Sequence, residues 1–294
     1  MSKVSLFSKE NVTRSERSLH TPGAFAKQNL LYVQEVGRLE SLTPHRCIRE
    51  NLDSYLFMIV LEGKGTLEVQ GQEYEIAKGN CAFLDCMKHY EHISDEQDAW
   101  KLAWVHFNGV TAKAYYDLFY KYQQENVFKV KDIDDWNVLI GKLLEKQKDK
   151  SFLAELGSAE ILLQLLNKVI ETVVDKDTLK AEEFKQKNQT IREFLNEDYA
   201  NQNVLKALEM SIGSKVDTLN EDFSRYYGIG IVEYLENKRL NVAKELLRFT
   251  IKTTEEIAVE SGIGSCEMME RMFVDKEGVT PQDYREKWAQ WIRM

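Results

Sequence analysis

Long hydrophobic runs are missing from this 294-residue sequence. The longest near the front, Tyr55 to Leu61, falls far short of the roughly 20 residues that a bilayer-spanning helix needs. The opening stretch from Met1 to Glu10 has no apolar core of the kind that directs export, so a cytoplasmic protein with no membrane partner is expected. Cysteine is scarce: Cys47, Cys81, Cys86 and Cys266 form no C-x-x-C, and no His pair stands at zinc-ligand spacing. Four buried, reduced thiols are expected. No nucleophile with a partnered His and no Gly-rich phosphate loop is apparent, so no enzyme and no cofactor are expected. An excess of cations is missing too. The 39 Lys and Arg are outnumbered by 48 Asp and Glu, a net charge of −9, which opposes contact with nucleic-acid phosphates.

What is present falls into two patterns. Between residues 30 and 108, short apolar or alternating runs (Leu30–Val36, Tyr55–Leu61, Gly65–Gln70, Glu73–Ile76, Cys81–Asp85, Trp100–Phe107) are separated by turn sequences such as Gln70-Gly71-Gln72 and Lys78-Gly79-Asn80. Strands so spaced predict a sandwich or small barrel. Apolar spacings of three and four then predict helices over 111–125, 132–148 and 151–174. The last carries a wide stripe of Leu156, Ile161, Leu162, Leu165, Leu166, Val169 and Ile170, suited to a core face or a dimer seam. Residues 175–189 are dense in charge without an apolar face and read as a linker. Beyond Thr190 the pattern is helical throughout.

That last portion repeats itself. Phe223, Gly228 and Tyr234 match Phe273, Gly278 and Tyr284 at an offset of 50, and Leu208 matches Ile257 at 49. Each copy reads as a short helix, a turn, a second helix and a terminating Gly. In the second copy Thr253 or Thr254 is placed to cap the first helix, and Gly262 to take the positive φ of the turn. A long helix over Ile231–Phe249 joins the copies.

The run Asn237-Lys-Arg-Leu-Asn-Val-Ala-Lys-Glu-Leu-Leu247, with Thr254-Glu-Glu-Ile-Ala258, Gly262, Phe273, Gly278-Val-Thr-Pro281 and Tyr284-Arg285, resembles the DNA-binding domain of AraC-type transcription regulators. Arg49, Tyr55–Leu61, Glu62-Gly-Lys-Gly65, Lys78-Gly79 and Trp104-Val-His-Phe107 are similar to the cupin-like effector-binding domain of that family. The resemblance implies an α+β chain. Residues 1–174 would form a cupin-like β-barrel with trailing helices that binds an effector and dimerises, followed by the 175–189 linker. Residues 190–294 would form an all-α double helix-turn-helix domain. The implied function is ligand-responsive transcription control, with double-stranded DNA, a small-molecule effector such as a sugar or related metabolite, and a second copy of the chain as partners.

Candidate effector contacts are Arg49, Tyr55, His89, Tyr90, Trp104 and His106. Aromatic rings stack on a sugar's apolar face, and Arg and His supply donors. No metal is expected: His45 stands alone before the barrel, His89 and His92 share one loop, and His106 is isolated. Candidate DNA contacts are Lys215, Thr218, Asn220, Arg225, Lys238, Arg271 and Lys276. The recognition helices depart from the family's pattern. Asn220-Glu221 stands where a Ser-Arg pair is usual, and Val274-Asp275 where basic residues are usual. From Asn188 onwards 14 Lys and Arg face 19 Asp and Glu, so the acidity lies in the DNA-binding portion as well. The alternative reading is a pseudo-regulator that binds a small molecule or protein partner with weak or lost DNA affinity.

Overall fold

The computed structural model describes residues 12–174 and 178–289. The chain divides into two compact units, Met1–Lys176 and Asp177–Met294. The first unit runs β1 (Thr13–Leu19), α1 (Ala24–Asn29), β2 (Leu31–Ser41), β3 (Arg46–Arg49), β4 (Tyr55–Glu62), β5 (Lys64–Val69), β6 (Gln72–Ala77), β7 (Asn80–Asp85), β8 (Tyr90–Ser94), β9 (Lys101–Gly109), α2 (Ala112–Gln123), β10 (Val127–Lys129), α3 (Ile133–Lys146) and α4 (Phe152–Val174). The named strand pairs are all antiparallel and build a six-stranded sheet, β1-β2-β9-β4-β7-β10, and a four-stranded sheet, β3-β8-β5-β6.

The large sheet is covered on both faces, which explains why β4 reads as an unbroken apolar run. Leu56, Met58 and Val60 of β4 join Leu67, Val69, Ile76, Leu84 and Leu102 in a core shared with the small sheet. Phe57 and Ile59 point the other way, into a core with Phe83, Val105, Phe107, Trp136 and the helices. The stripe on α4 is chiefly part of this second core: Ile161, Leu162, Leu165, Leu166 and Val169 are buried. The β5–β6 hairpin turns at Gln70-Gly71 with φ of 52° and 84°, the two positive values that a tight two-residue hairpin requires. Strands β1, β3 and β8 escaped the sequence reading because polar residues dominate them. β1 and β3 are edge strands, where charge blocks pairing with other chains. Cys81 and Cys86 are buried, whereas Cys47 and Cys266 are only half-buried, a correction to the expectation of four buried thiols.

The second unit holds α5 (Thr178–Glu197), α6 (Val204–Ile212), α7 (Val216–Tyr227), α8 (Ile231–Phe249), α9 (Thr254–Glu260), α10 (Cys266–Glu277) and α11 (Pro281–Trp288). Residues 178–189, expected as linker, are helical and run into 190–197 as one element; residues 175–177 lie outside the described residues. The charge density hid an anchoring stripe at spacings of four, three and four. Phe184 meets the ring of Tyr226 edge-on at 6.0 Å, and Asn188, Ile191 and Leu195 are buried. Lys187 adds an ion pair to Asp222 of α7 at 2.9 Å.

The duplication is visible in the backbone. Gly228 and Gly278 end α7 and α10 in the left-handed conformation, and the turns of the two copies hold Gly213 and Gly262 at φ of 74° and 76°. Helix α8 serves both cores, giving Ile231 and Leu235 to the first and Leu240, Ala243 and Leu247 to the second. A polar clamp fixes the copies further. Arg239 donates to the carbonyls of Tyr199 (2.7 Å) and Asn201 (2.9 Å), and Gln202 donates to that of Gly262 (2.8 Å). A Cβ at Gly262 would lie 2.6 Å from the Cα of Ala200, so this close approach needs glycine.

Asn220, one of the expected DNA contacts, has its side-chain oxygen committed to the fold. It accepts from the backbone N–H of Ile231 at 2.8 Å and so caps the start of α8. Asn220→Ala is expected to destabilise the second unit by about 1–3 kcal/mol, the cost of orphaning a buried donor. Urea unfolding of the full chain, followed by far-UV circular dichroism, measures it; an unchanged midpoint would return Asn220 to the list of DNA contacts.

Candidate functional site

Period-two alternation decides which side chains face the space between the sheets. Leu56 and Met58 of β4, Leu102, Trp104 and His106 of β9, Tyr90 and His92 of β8, and Cys47 and Arg49 of β3 line a cavity of about 700 Å³. Strands β1 and β2 contribute Arg17, Gln34, Glu35 and Leu39. The size suits a small organic ligand.

Three imidazoles enclose the polar end, and burial disfavours the charged form of each. Burial, helped by the nearby charges of His45 and Arg49, pushes His92 down to about 3. Burial and Arg49 bring His106 down to about 4. Burial also lowers His45. His45 meets Ser41 Oγ through Nδ1 at 2.9 Å, and His106 meets Ser54 Oγ through Nδ1 at 3.2 Å. The Nδ1 of His92 is buried without a hydrogen-bond partner among the described residues. Burial raises the Tyr90 hydroxyl, and pushes the adjacent Cys86 thiol up to about 12. The two sides of the cavity carry an Arg17–Glu35 ion pair at 3.6 Å and a bidentate Arg46–Glu91 pair.

Of the expected effector contacts, Arg49, Tyr90, Trp104 and His106 come together here. Tyr55 does not. It sits on the helix-facing side of β4 among Phe83, Phe107 and Tyr116, because its odd position turns it away from Leu56 and Met58. His89 also lies outside the lining, between Glu50 (3.6 Å) and Glu68 (3.5 Å). His92 is on β8, not in a loop with His89, and its ring centroid is 6.0 Å from that of His45, so neither stands alone. The signal for His92 was the alternation Tyr90-Glu-His-Ile-Ser94, hidden by its polarity. Glu68, His89 and Glu91 bring one ligand atom each to within 4.8 Å of one another, although Arg46 engages both oxygens of Glu91.

In the second unit, α7 exposes Asp217, Thr218, Glu221 and Arg225, with Lys215 exposed at its start. The matching face of α10 exposes Glu267, Met268, Arg271 and Asp275. At equivalent positions the charges are exchanged: Glu221 against Arg271, and Arg225 against Asp275. Asp222 points away from this face, towards Lys187.

Residues 32–166 match the model of the AraC-like ligand binding domain, and residues 210–287 match a helix-turn-helix domain. The chain belongs to the AraC-type family of transcription regulators. Thermoregulatory protein LcrF of Yersinia pestis is 22% identical over 267 residues, spanning 85% of this chain and 96% of that protein. The HTH-type transcriptional activator RhaS of Salmonella schwarzengrund is 24% identical over 252 residues, spanning 80% and 86%. A solved C-terminal domain of the two-component response regulator yesN from Fusobacterium nucleatum is 28% identical with a TM-score of 0.32, covering 33% of this chain and 95% of that one. With both a ligand-binding and a helix-turn-helix domain matched, this regulator is a ligand-responsive DNA-binding protein. No helix among its described residues is long and apolar enough to cross a membrane.

The structure sorts this AraC-type regulator's remaining candidate DNA contacts. Lys215, Thr218, Arg225, Arg271 and Lys276 are exposed. Lys238 is half-buried, with its ammonium 5.3 Å from the centroid of the Tyr199 ring. Arg271 lies 3.6 Å from Glu267, and Lys276 lies 3.9 Å from Glu233.

The enclosed imidazoles make stability depend on pH. Unfolded histidines titrate near 6.5, whereas His92 and His106 titrate at about 3 and 4 in the fold. Between about pH 6.5 and 4 the unfolded chain therefore binds protons that the folded chain refuses. Stability is full above that window and is expected to fall by up to about 1.4 kcal/mol per pH unit for each histidine as the pH drops through it. Urea midpoints by tryptophan fluorescence at pH 7 and pH 5 measure the slope, and His106→Asn should flatten it.

Proposed function

We propose that this regulator binds a small metabolite in the barrel cavity, works as a homodimer in the cytoplasm, and holds DNA weakly enough for the effector to matter. The observation that carries this reading is the cavity itself, walled by Trp104, neutral imidazoles and Arg49 on the same chain as a duplicated helix-turn-helix. A sugar or related metabolite fits its mixture of apolar wall and polar end. Binding rather than catalysis is supported by the cysteines: burial holds Cys81 well above its ordinary value and Cys86 at about 12, so neither supplies a thiolate at neutral pH. Residues 1–174 are assigned to effector binding and dimerisation, and 190–294 to DNA.

For the dimer, the apolar surface left on α4 supports the reading. Leu153, Leu156 and Leu163 stay exposed while the rest of the stripe is mostly core. The full chain should sediment as a dimer at ~50 µM, and Leu156→Glu with Leu163→Glu should give a monomer of unchanged melting temperature. A monomeric wild-type chain at that concentration would sink the assignment.

Weak DNA contact follows from charge. Five phosphate contacts would give a slope of log affinity against log salt of about −4.5, and each cation held by a carboxylate instead removes about 0.9. Fluorescence anisotropy against the DNA upstream of the chain's own gene should show micromolar binding with a slope shallower than about −4.5. Glu221→Arg with Asp275→Lys should raise affinity on the order of tenfold at fixed salt. Nanomolar wild-type binding in physiological salt would overturn the weak-binding reading. Indifference of the charge-reversed variant to DNA would favour the pseudo-regulator, whose partner surface would include the exposed Met268 and Val274 of α10.

A further inference from the structure

The charged groups around the cavity do not cancel. Arg17 faces Glu35, and both oxygens of Glu91 engage Arg46. Arg49 remains. Its cross-strand neighbour is Tyr90, and with Cys47 and His92 these form the inward face of the β3–β8 pair. The only hydrogen bond of its guanidinium among the described residues goes to the carbonyl of Ile48, at 3.1 Å, and no described carboxylate lies within ion-pair distance of it. Its neighbours Tyr90, His92 and His106 on the cavity wall are uncharged at neutral pH. A full positive charge thus stands at the exposed side of a cavity whose apolar lining includes Leu39, Leu56, Met58 and Leu102.

We propose that the effector carries a carboxylate, which the Arg49 guanidinium clamps while the rest of the molecule lies along the apolar wall. A guanidinium presents parallel N–H donors matched to the two oxygens of a carboxylate, and this pairing is stronger than any hydrogen bond a neutral hydroxyl offers. Neutral imidazoles complete the fit, since they add hydrogen bonds without a competing charge. Trp104 is itself engaged by a cation: the Arg17 guanidinium stands 5.8 Å from the centroid of its ring. This inference rests on the cavity being the effector site, and it fixes the charge class of the occupant.

The test uses matched pairs on the full chain at pH 7: phenylacetate against phenylacetamide, and glucuronate against glucose, each at millimolar concentration. Thermal shift and titration calorimetry are the readouts. At least one acid should raise the melting temperature while its neutral partner does not. Arg49→Gln should weaken acid binding on the order of a hundredfold without moving the ligand-free melting temperature, and Arg49→Lys, which keeps the charge but loses the fork, should retain part of it. If a neutral partner stabilises the chain as well as its acid, the carboxylate assignment falls while the sensor reading stands. If Arg49→Gln binds acids as tightly as the wild type, the clamp is not Arg49 and the proposal is overturned. If none of the four compounds shifts the wild-type chain, both this proposal and the sensor reading are rejected.

Discussion

Burial of both faces of the six-stranded sheet is the constraint on which the rest of the first unit depends. A sheet with one wet face would leave either the helices or the small sheet without an apolar partner. Here every second residue of β4, β7 and β9 belongs to one core and its neighbours to the other. A shift of register by one residue would exchange the two sets and send Phe57, Phe83 and Phe107 into the cavity side. The same alternation places His106 and Trp104 on the cavity wall, so the candidate site comes from the packing rule that holds the barrel together.

The second unit meets a different constraint. Two small helix-turn-helix copies have little core each, and one long helix must serve both. The α8 helix does so with its two halves, and the Arg239 clamp onto the 199–201 carbonyls removes freedom that a lone helix would leave between the copies. Scaffold and reading surface are separable here. Phe223, Phe273 and the terminal glycines repeat faithfully, whereas Glu221 and Arg271, or Arg225 and Asp275, oppose each other in sign at equivalent positions. A carboxylate on a recognition helix can accept from a cytosine amino group but repels phosphate, so the exchange changes what each of these positions could contact.

In the cavity, desolvation does the electrostatic work. Histidine is the residue whose charge most easily varies near neutral pH, yet enclosure disfavours the charged form of three of them and leaves arginine as the group that keeps its charge in that wall. Under the proposed carboxylate reading, a ligand would be sorted by charge at Arg49 and by shape along the leucine wall, two separate selections made by different strands.

Much of the fold was legible because it is local. Helical spacing over 151–174, the short strand runs between turns in β4 to β7 and the 50-residue repeat are all carried by local sequence pattern, which reports the element without long-range contacts. The family resemblance was legible for the same reason, since its motifs are contiguous. Much of the site was not. Arg49, Tyr90, Trp104 and His106 could be named as candidates, but Tyr55 was misplaced because its neighbours on both sides are apolar and the run gives no sign of which face is which. His45 reads as standing alone and His92 as sharing a loop with His89, because β8 and β3, which begins just after His45, are polar strands without an apolar signature. Asn220 reads from sequence as a DNA contact, although the backbone N–H of Ile231 claims its side-chain oxygen. The sequence by itself determined the elements and the duplication. Only tertiary structure decided which charges were already paired, because an ion pair or a cap depends on residues brought together across many positions of chain, and no periodicity records that.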